Sequence, residues 1–239
     1  MSNSGDGGFC AAVWAETAGW RQAMVEHPFL VELTAGTLPA DRFRWYLIQD
    51  SHYLRDFARA LAAAAATADD GGHTAWLAAA AADVLTVERA LHERYFTRWD
   101  LTPVEVENTG KSPTCAAYTD HLLATAYTGS QGELLAALLP CFWVYADVAS
   151  QTQTATRTGS AKTPGSNPYQ DWIDTYDAPG FQRSVHMMRD LTEQAATAAG
   201  PAERSRMREG FRRSTTYEWM FFDAAYHLRT WPSFVATHR

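Results

Sequence analysis

Apolar residues recur every three or four positions along most of the chain, and no segment sustains the alternation of a half-buried strand. The pattern predicts helices near 8–25, 39–67, 74–98, 114–127, 131–153, 168–175, 181–198 and 201–228. Alanine-rich runs at 61–66 and 77–82 add strong intrinsic helix propensity. Clusters of turn-forming residues at 37–39, 69–72, 100–113, 128–130, 157–168, 177–180 and 200–201 separate the helices. No repeat and no second hydrophobic register marks a boundary. The expectation is one all-α domain over 1–239, with 1–8 as a flexible tail and 152–167 as a surface loop.

Several apolar stripes are interrupted by a polar group. In the helix 39–67, Phe43, Tyr46, Asp50, Tyr53 and Phe57 follow at steps of 3, 4, 3 and 4, so one carboxylate sits within an aromatic face. A buried carboxylate is costly unless it is bonded, paired or shifted in pKa, and a neighbouring Tyr hydroxyl could satisfy it. In the helix 131–153, Leu134, Leu138, Cys141, Tyr145 and Val148 share a face, and Pro140 directly precedes the thiol. A lone Cys is commonly a small buried hydrophobe. The last helix carries Phe211, Ser214, Glu218, Phe221/Phe222 and Ala225, and another stripe runs Cys115, Tyr118, Leu122 and Ala126. A fifth, Leu77, Ala81, Val84, Glu88, Leu91 and Tyr95, contains Glu88. If the faces converge, Asp50, Cys141 and Glu218 project into a core pocket lined by Tyr46, Tyr53, Tyr118, Phe142 and Tyr145. Such a pocket suits a flat, uncharged or weakly basic heteroaromatic ligand, with a thiolate able to attack an electron-poor ring carbon.

Composition narrows the field. A chain of 239 residues with 46% hydrophobic and 13% aromatic content can bury a sizeable core, which argues against disorder. The net charge of -7 and the lack of a Lys/Arg run argue against nucleic acid or a polybasic membrane surface as partner. Three scattered cysteines, Cys10, Cys115 and Cys141, make neither a disulfide framework nor a zinc site and read as thiols in a reducing cytoplasm. The N-terminus lacks the basic start and apolar run of a secretory signal. The stretch Leu134–Ala149 is the nearest approach to a membrane span, but it is short and holds Pro140 and Asp147, so a buried helix is expected.

The stretches His27-Pro-Phe29, Gly36-Thr-Leu-Pro39, RFRWYLIQDSHYL at 42–54, SPTCAAYTDHL at 112–122, LLAALLPCFWVYADV at 134–148, NPYQDWIDTY at 167–176 and TTYEWMFFDAAY at 215–226 resemble, in order and spacing, the TenA (thiaminase II) family over about 9–232. The resemblance implies a haem-oxygenase-like helical bundle without haem, usually a homotetramer. It also implies hydrolysis of a thiamin-derived aminomethylpyrimidine to hydroxymethylpyrimidine, with no cofactor and no metal. By that resemblance Cys141 is the nucleophile, Asp50 the carboxylate that holds the pyrimidine, and Glu218 the proton-transfer acid. Tyr53, Tyr118, Tyr145 and Tyr176 match the family's aromatics around the pocket; Tyr46 and Phe222 complete the candidate binding set. His52 stands where the family commonly has an aromatic, the 152–167 segment is long and polar, and Cys115 is a second thiol near Tyr118.

Two other readings stay open. A di-iron oxygenase on the same fold would use Glu88 with His92 and Asp223 with His227, each an i,i+4 pair. Asp223, however, lies about 140° round the helix from Glu218, and Asp147 about 120° from Cys141, at ~100° per residue. A non-catalytic binder of a pyrimidine or of a partner protein would need the aromatic pocket but not the thiol. His73, His121, His186 and His238 read as surface groups, and His27 as a residue that shapes the turn into the next helix.

Overall fold

The computed structural model describes residues 7–157 and 167–233, and the side chains of all of these except 87–90 and 152–157. Among the described residues every regular element is helical: α1 (Phe9–Glu16), α2 (Ala18–Val25), α3 (Pro28–Thr34), α4 (Ala40–Ala66) and α5 (Gly71–Asp83), a π-helical segment (Val84–Glu88), then α6 (Arg89–Arg98), α7 (Pro103–Thr109), α8 (Pro113–Thr128), α9 (Gln131–Arg157), α10 (Gln170–Asp177), α11 (Pro179–Ala198) and α12 (Pro201–Tyr226). The all-α expectation holds.

Prolines that read as breaks in the sequence mostly start helices. A proline at the first helical position gives up an N–H that has no partner there anyway, and its fixed φ suits the helix. Pro28, Pro103, Pro113, Pro179 and Pro201 all stand at such starts. Two short helices in stretches where no helix was predicted follow from this. His27 caps α3, its Nδ1 accepting from the Phe29 N–H at 3.1 Å. Thr102 and Glu105 cap α7 reciprocally, so the expected break over 100–113 holds a helix. The predicted helix 8–25 is likewise two, divided at Thr17, whose hydroxyl donates to the Val13 carbonyl at 2.9 Å.

Helix α9 lies against α4, α8, α10, α11 and α12. Surrounded in this way, it buries Leu134 to Leu139 without interruption instead of showing one apolar stripe. Its 131–151 stretch is long and apolar enough to cross a membrane by composition, yet 78% of the most apolar window is covered by the rest of the protein, as expected for the central helix of a bundle. The helix runs to Arg157 instead of ending near 153, so the first residues of the expected 152–167 loop are helical. The remainder, 158–166, and the tail 1–6 lie outside the described residues.

Aromatic ladders tie the periphery to this centre. Trp14 stacks on Trp143 at 3.9 Å between ring centroids, with the Arg21 and Arg189 guanidiniums 3.8 and 4.2 Å from the outer faces. That four-layer stack joins α1, α2 and α11 to α9 through cation–π contacts.

Candidate active site

Asp50 and Cys141 face one small chamber of about 30 Å³. Its other walls are Leu54 and Phe57 from α4, Val84 at the start of the π segment, Phe142 and Tyr145 from α9, Tyr176 from α10 and Phe181 from α11. The thiol of Cys141 is half-buried, whereas Cys10 and Cys115 are buried outright. Of the three free thiols, the one on the chamber wall is the accessible one.

Behind these walls lies a packed aromatic layer. The Tyr46 and Tyr145 hydroxyls are 2.9 Å apart, Tyr145 packs on Phe222 at 5.8 Å and on Tyr176 at 4.8 Å, and Tyr53 packs on Tyr118 at 4.8 Å. Within that layer Tyr118 donates to Glu218 Oε1 at 2.6 Å. Tyr46, Tyr53, Tyr118, Glu218 and Phe222 therefore stand around the chamber without forming its open wall, while Asp50, Cys141, Tyr145 and Tyr176 do.

Electrostatics join the two layers. Burial raises the Glu218 carboxyl to about 8, the Asp50 charge adds to the rise, and the Tyr118 hydrogen bond offsets part of it. Glu218 therefore keeps its proton at neutral pH and can give it up to a substrate. Burial also holds Tyr53, Tyr118 and Tyr145 well above the ordinary phenol range. Cys141 and Glu218 act on both Tyr53 and Tyr118, and Glu218 and Asp50 both act on Tyr145. These three phenols remain neutral donors. The thiol and both acids thus share one low-dielectric neighbourhood, where charge interactions are strong.

The partner of Asp50 is His92. Its Nε2 lies 2.9 Å from Asp50 Oδ2, with both side chains buried. An ionised carboxylate only accepts, so the ring nitrogen supplies the proton of this bond. The sequence reading placed His92 in a possible metal pair with Glu88 and put Leu91 and Tyr95 on the core stripe. It assumed an unbroken α period from Leu77 to Tyr95. The π segment Val84–Glu88 interrupts that period, yet Leu91 and Tyr95 are buried as the stripe has them, and His92 is buried beside them. A signal was available, since His92 adjoins Leu91 on a stripe already read as inward.

The other half of the metal pairing is engaged elsewhere. Asp223 lies 3.0 Å from the Arg229 guanidinium, 3.4 Å from His227 and 3.6 Å from His27. The Glu88 side chain lies outside the described residues. Among the described residues, no three His, Cys, Asp or Glu side chains gather as a metal-binding group.

The departures noted in the sequence find places. His52 points away from the chamber, its Nε2 3.2 Å from the Val106 carbonyl, and burial lowers its pKa, so a neutral ring ties α4 to α7. Cys115 lies 3.4 Å from the Gln49 carbonyl, and burial raises its pKa to about 12, so it persists as a thiol. His121, expected at the surface, is half-buried and lowered to about 4 by burial and by Arg213.

The helical bundle that gathers this half-buried thiol and two buried acids beneath aromatic rings has a haem-oxygenase-like architecture. A domain of unknown function with a heme oxygenase-like fold from Shewanella denitrificans OS217 superposes with a TM-score of 0.71 at 13% identity, over 95% of this chain and 94% of that one. The model of the TENA/THI-4/PQQC family matches residues 14–228, and the chain belongs to that family. It is 34% identical to the aminopyrimidine aminohydrolase of Bacillus subtilis (strain 168) over 222 residues, 93% of this chain and 90% of that protein. A TenA homologue from P. horikoshii OT3 superposes with a TM-score of 0.82 at 30% identity, over 92% of this chain and 99% of the other.

Proposed function

We propose that this protein is an aminopyrimidine aminohydrolase (thiaminase II) of thiamin salvage, which hydrolyses aminomethylpyrimidine to hydroxymethylpyrimidine and ammonia through a covalent adduct on Cys141. The observation that carries the reading is the placement of the Cys141 thiol and the Asp50 carboxylate on the wall of one chamber, with protonated Glu218 in the adjoining layer. Family membership and the 34% identity to an aminohydrolase support it.

The roles follow from the chemistry of each group. Asp50, held by His92, accepts from the exocyclic amino group of the pyrimidine and relays the Cys141 thiol proton to the adjacent ring nitrogen, which makes the ring an electron sink. The Cys141 thiolate then forms a C–S bond to an electron-poor ring carbon. The aminomethyl C–N bond breaks as Glu218 gives its proton to the departing nitrogen, and ammonia leaves. Water adds to the exocyclic carbon and returns a proton to Glu218. The C–S bond then opens, restoring the ring and the thiol. Tyr145 and Tyr176 offer ring faces for stacking at the chamber wall, with Tyr46, Tyr53, Tyr118 and Phe222 supporting them.

The same reading places the protein in the cytoplasm as a homotetramer. Free thiols suit a reducing compartment, and the homotetramer is the assembly usual in the TenA family. Incubation with aminomethylpyrimidine while ammonia is followed tests the activity. Replacing Cys141 with Ser should lower turnover by about 10³-fold or more while the pyrimidine still binds. A non-catalytic binder would lose nothing by that substitution, and an absence of ammonia release with wild-type protein would refute the hydrolase.

A further inference from the structure

A second and much larger cavity adjoins the chamber. It measures about 570 Å³, against about 30 Å³ for the chamber, and Leu54 and Val84 wall both. Ligand pockets commonly span about 300–1,000 Å³, and a space of some tens of Å³ holds a water or two. The small chamber therefore carries the reactive groups without room for a whole substrate, and the large cavity has the room. Its floor is buried and continuous with the chemistry: Leu54 divides the two spaces, and His92, which holds Asp50, lies on the cavity side. Its rim is exposed at Leu85, Glu93, Thr97 and Pro103, so the cavity opens to solvent. Of its charged rim groups, Arg55 is bound to Glu107 at 2.6 Å. The π segment, an element type often found at functional sites, supplies Val84 to the divide and Leu85 to the rim.

We propose that this outer cavity receives the part of the substrate beyond the reacting exocyclic carbon, so that leaving-group size is read there and not at the chamber. The leaving portion sits against Leu54, Val84 and Phe96, and displacement of Leu54 and Val84 toward the cavity opens the chamber to the pyrimidine. This rests on the hydrolase reading for the chemistry, but the cavity can be tested without turnover.

Thr97→Trp and Leu85→Trp each fill the cavity from an exposed rim position outside the proposed catalytic groups. Thiamin carries a ring as its leaving group, and aminomethylpyrimidine carries only an amine. Each Trp variant should lower kcat/KM for thiamin by about tenfold or more and leave that for aminomethylpyrimidine within about twofold. In the Cys141→Ser background, calorimetry should show the same split between thiamin and hydroxymethylpyrimidine as a change in Kd. Equal effects on both ligands, or none on either, overturn the cavity assignment while ammonia release by wild type leaves the hydrolase standing. No turnover by wild type, with thiamin binding still weakened by the Trp variants, overturns the hydrolase and upholds the cavity. Failure of Cys141→Ser to bind either ligand overturns both.

Discussion

The two halves of the site hold their carboxylates in different ways. On the α8–α12 side, Glu218 receives a hydrogen bond from the Tyr118 phenol, a neutral donor that does not cancel the cost of burying a charge. The acid therefore stays protonated up to about 8. On the α4–α6 side, Asp50 meets the imidazole of His92, a partner able to carry the opposite charge. Two buried acids of similar chemistry thus face different partners, a contrast that under the proposed function suits one to donate a proton and the other to hold the pyrimidine.

The largest test of that contrast is Glu218→Gln. Loss of the proton donor should lower kcat/KM by about 10²–10⁴-fold. The wild-type alkaline limb near pH 8, where Glu218 gives up its proton, should vanish in the variant's pH–rate profile. Stability should follow the same group. Its folded value of about 8 lies above the ordinary 4.5, so the folded state holds the proton more tightly than the unfolded chain does. The contribution to stability is full below about 4.5, declines as pH rises, and is gone above about 8. Urea unfolding across that window should be flatter for Glu218→Gln than for wild type. An unchanged slope would show that the carboxyl titrates normally.

An intermediate effect is expected at His92. Changing His92 to Leu leaves the Asp50 carboxylate buried without its donor, at a cost of about 1–3 kcal/mol in urea unfolding. Misplacement of Asp50 should also lower kcat/KM by up to about 10²-fold. His92→Gln keeps an N–H donor and should recover much of the activity. A Leu variant as active as wild type would separate His92 from the chemistry.

The smallest effect is expected from Tyr118→Phe, which removes one hydrogen bond worth about 1 kcal/mol. Because that bond holds the Glu218 pKa down, its loss should move the alkaline limb above 8. A downward move would reverse the assigned sign.

The legible parts of the protein were those that depend on short sequence distances. The step pattern of Phe43, Tyr46, Asp50, Tyr53 and Phe57 placed Asp50 on a buried face without reference to any other helix, and the long helices were predicted correctly from the same period. The short helices α3 and α7 escaped because seven residues are too few to show a sustained apolar period, although Pro28 and Pro103, with the capping residues His27 and Thr102 before them, mark starts. The His92–Asp50 bond escaped for a different reason. It spans 42 residues, and no period within α6 shows which side chain of α4 it will meet.

Local order alone determined that this chain forms long helices, that the Asp50 and Glu218 stripes face inward, and that Cys141 shares a helix face with Tyr145. Helical period is a property of neighbouring residues, so it can be read along the chain. Tertiary structure decided which thiol is accessible, which partner each acid has, and how a chamber of some tens of Å³ comes to adjoin a cavity many times larger. Those features arise from how separate helices pack, and no single helix carries that information in its own period.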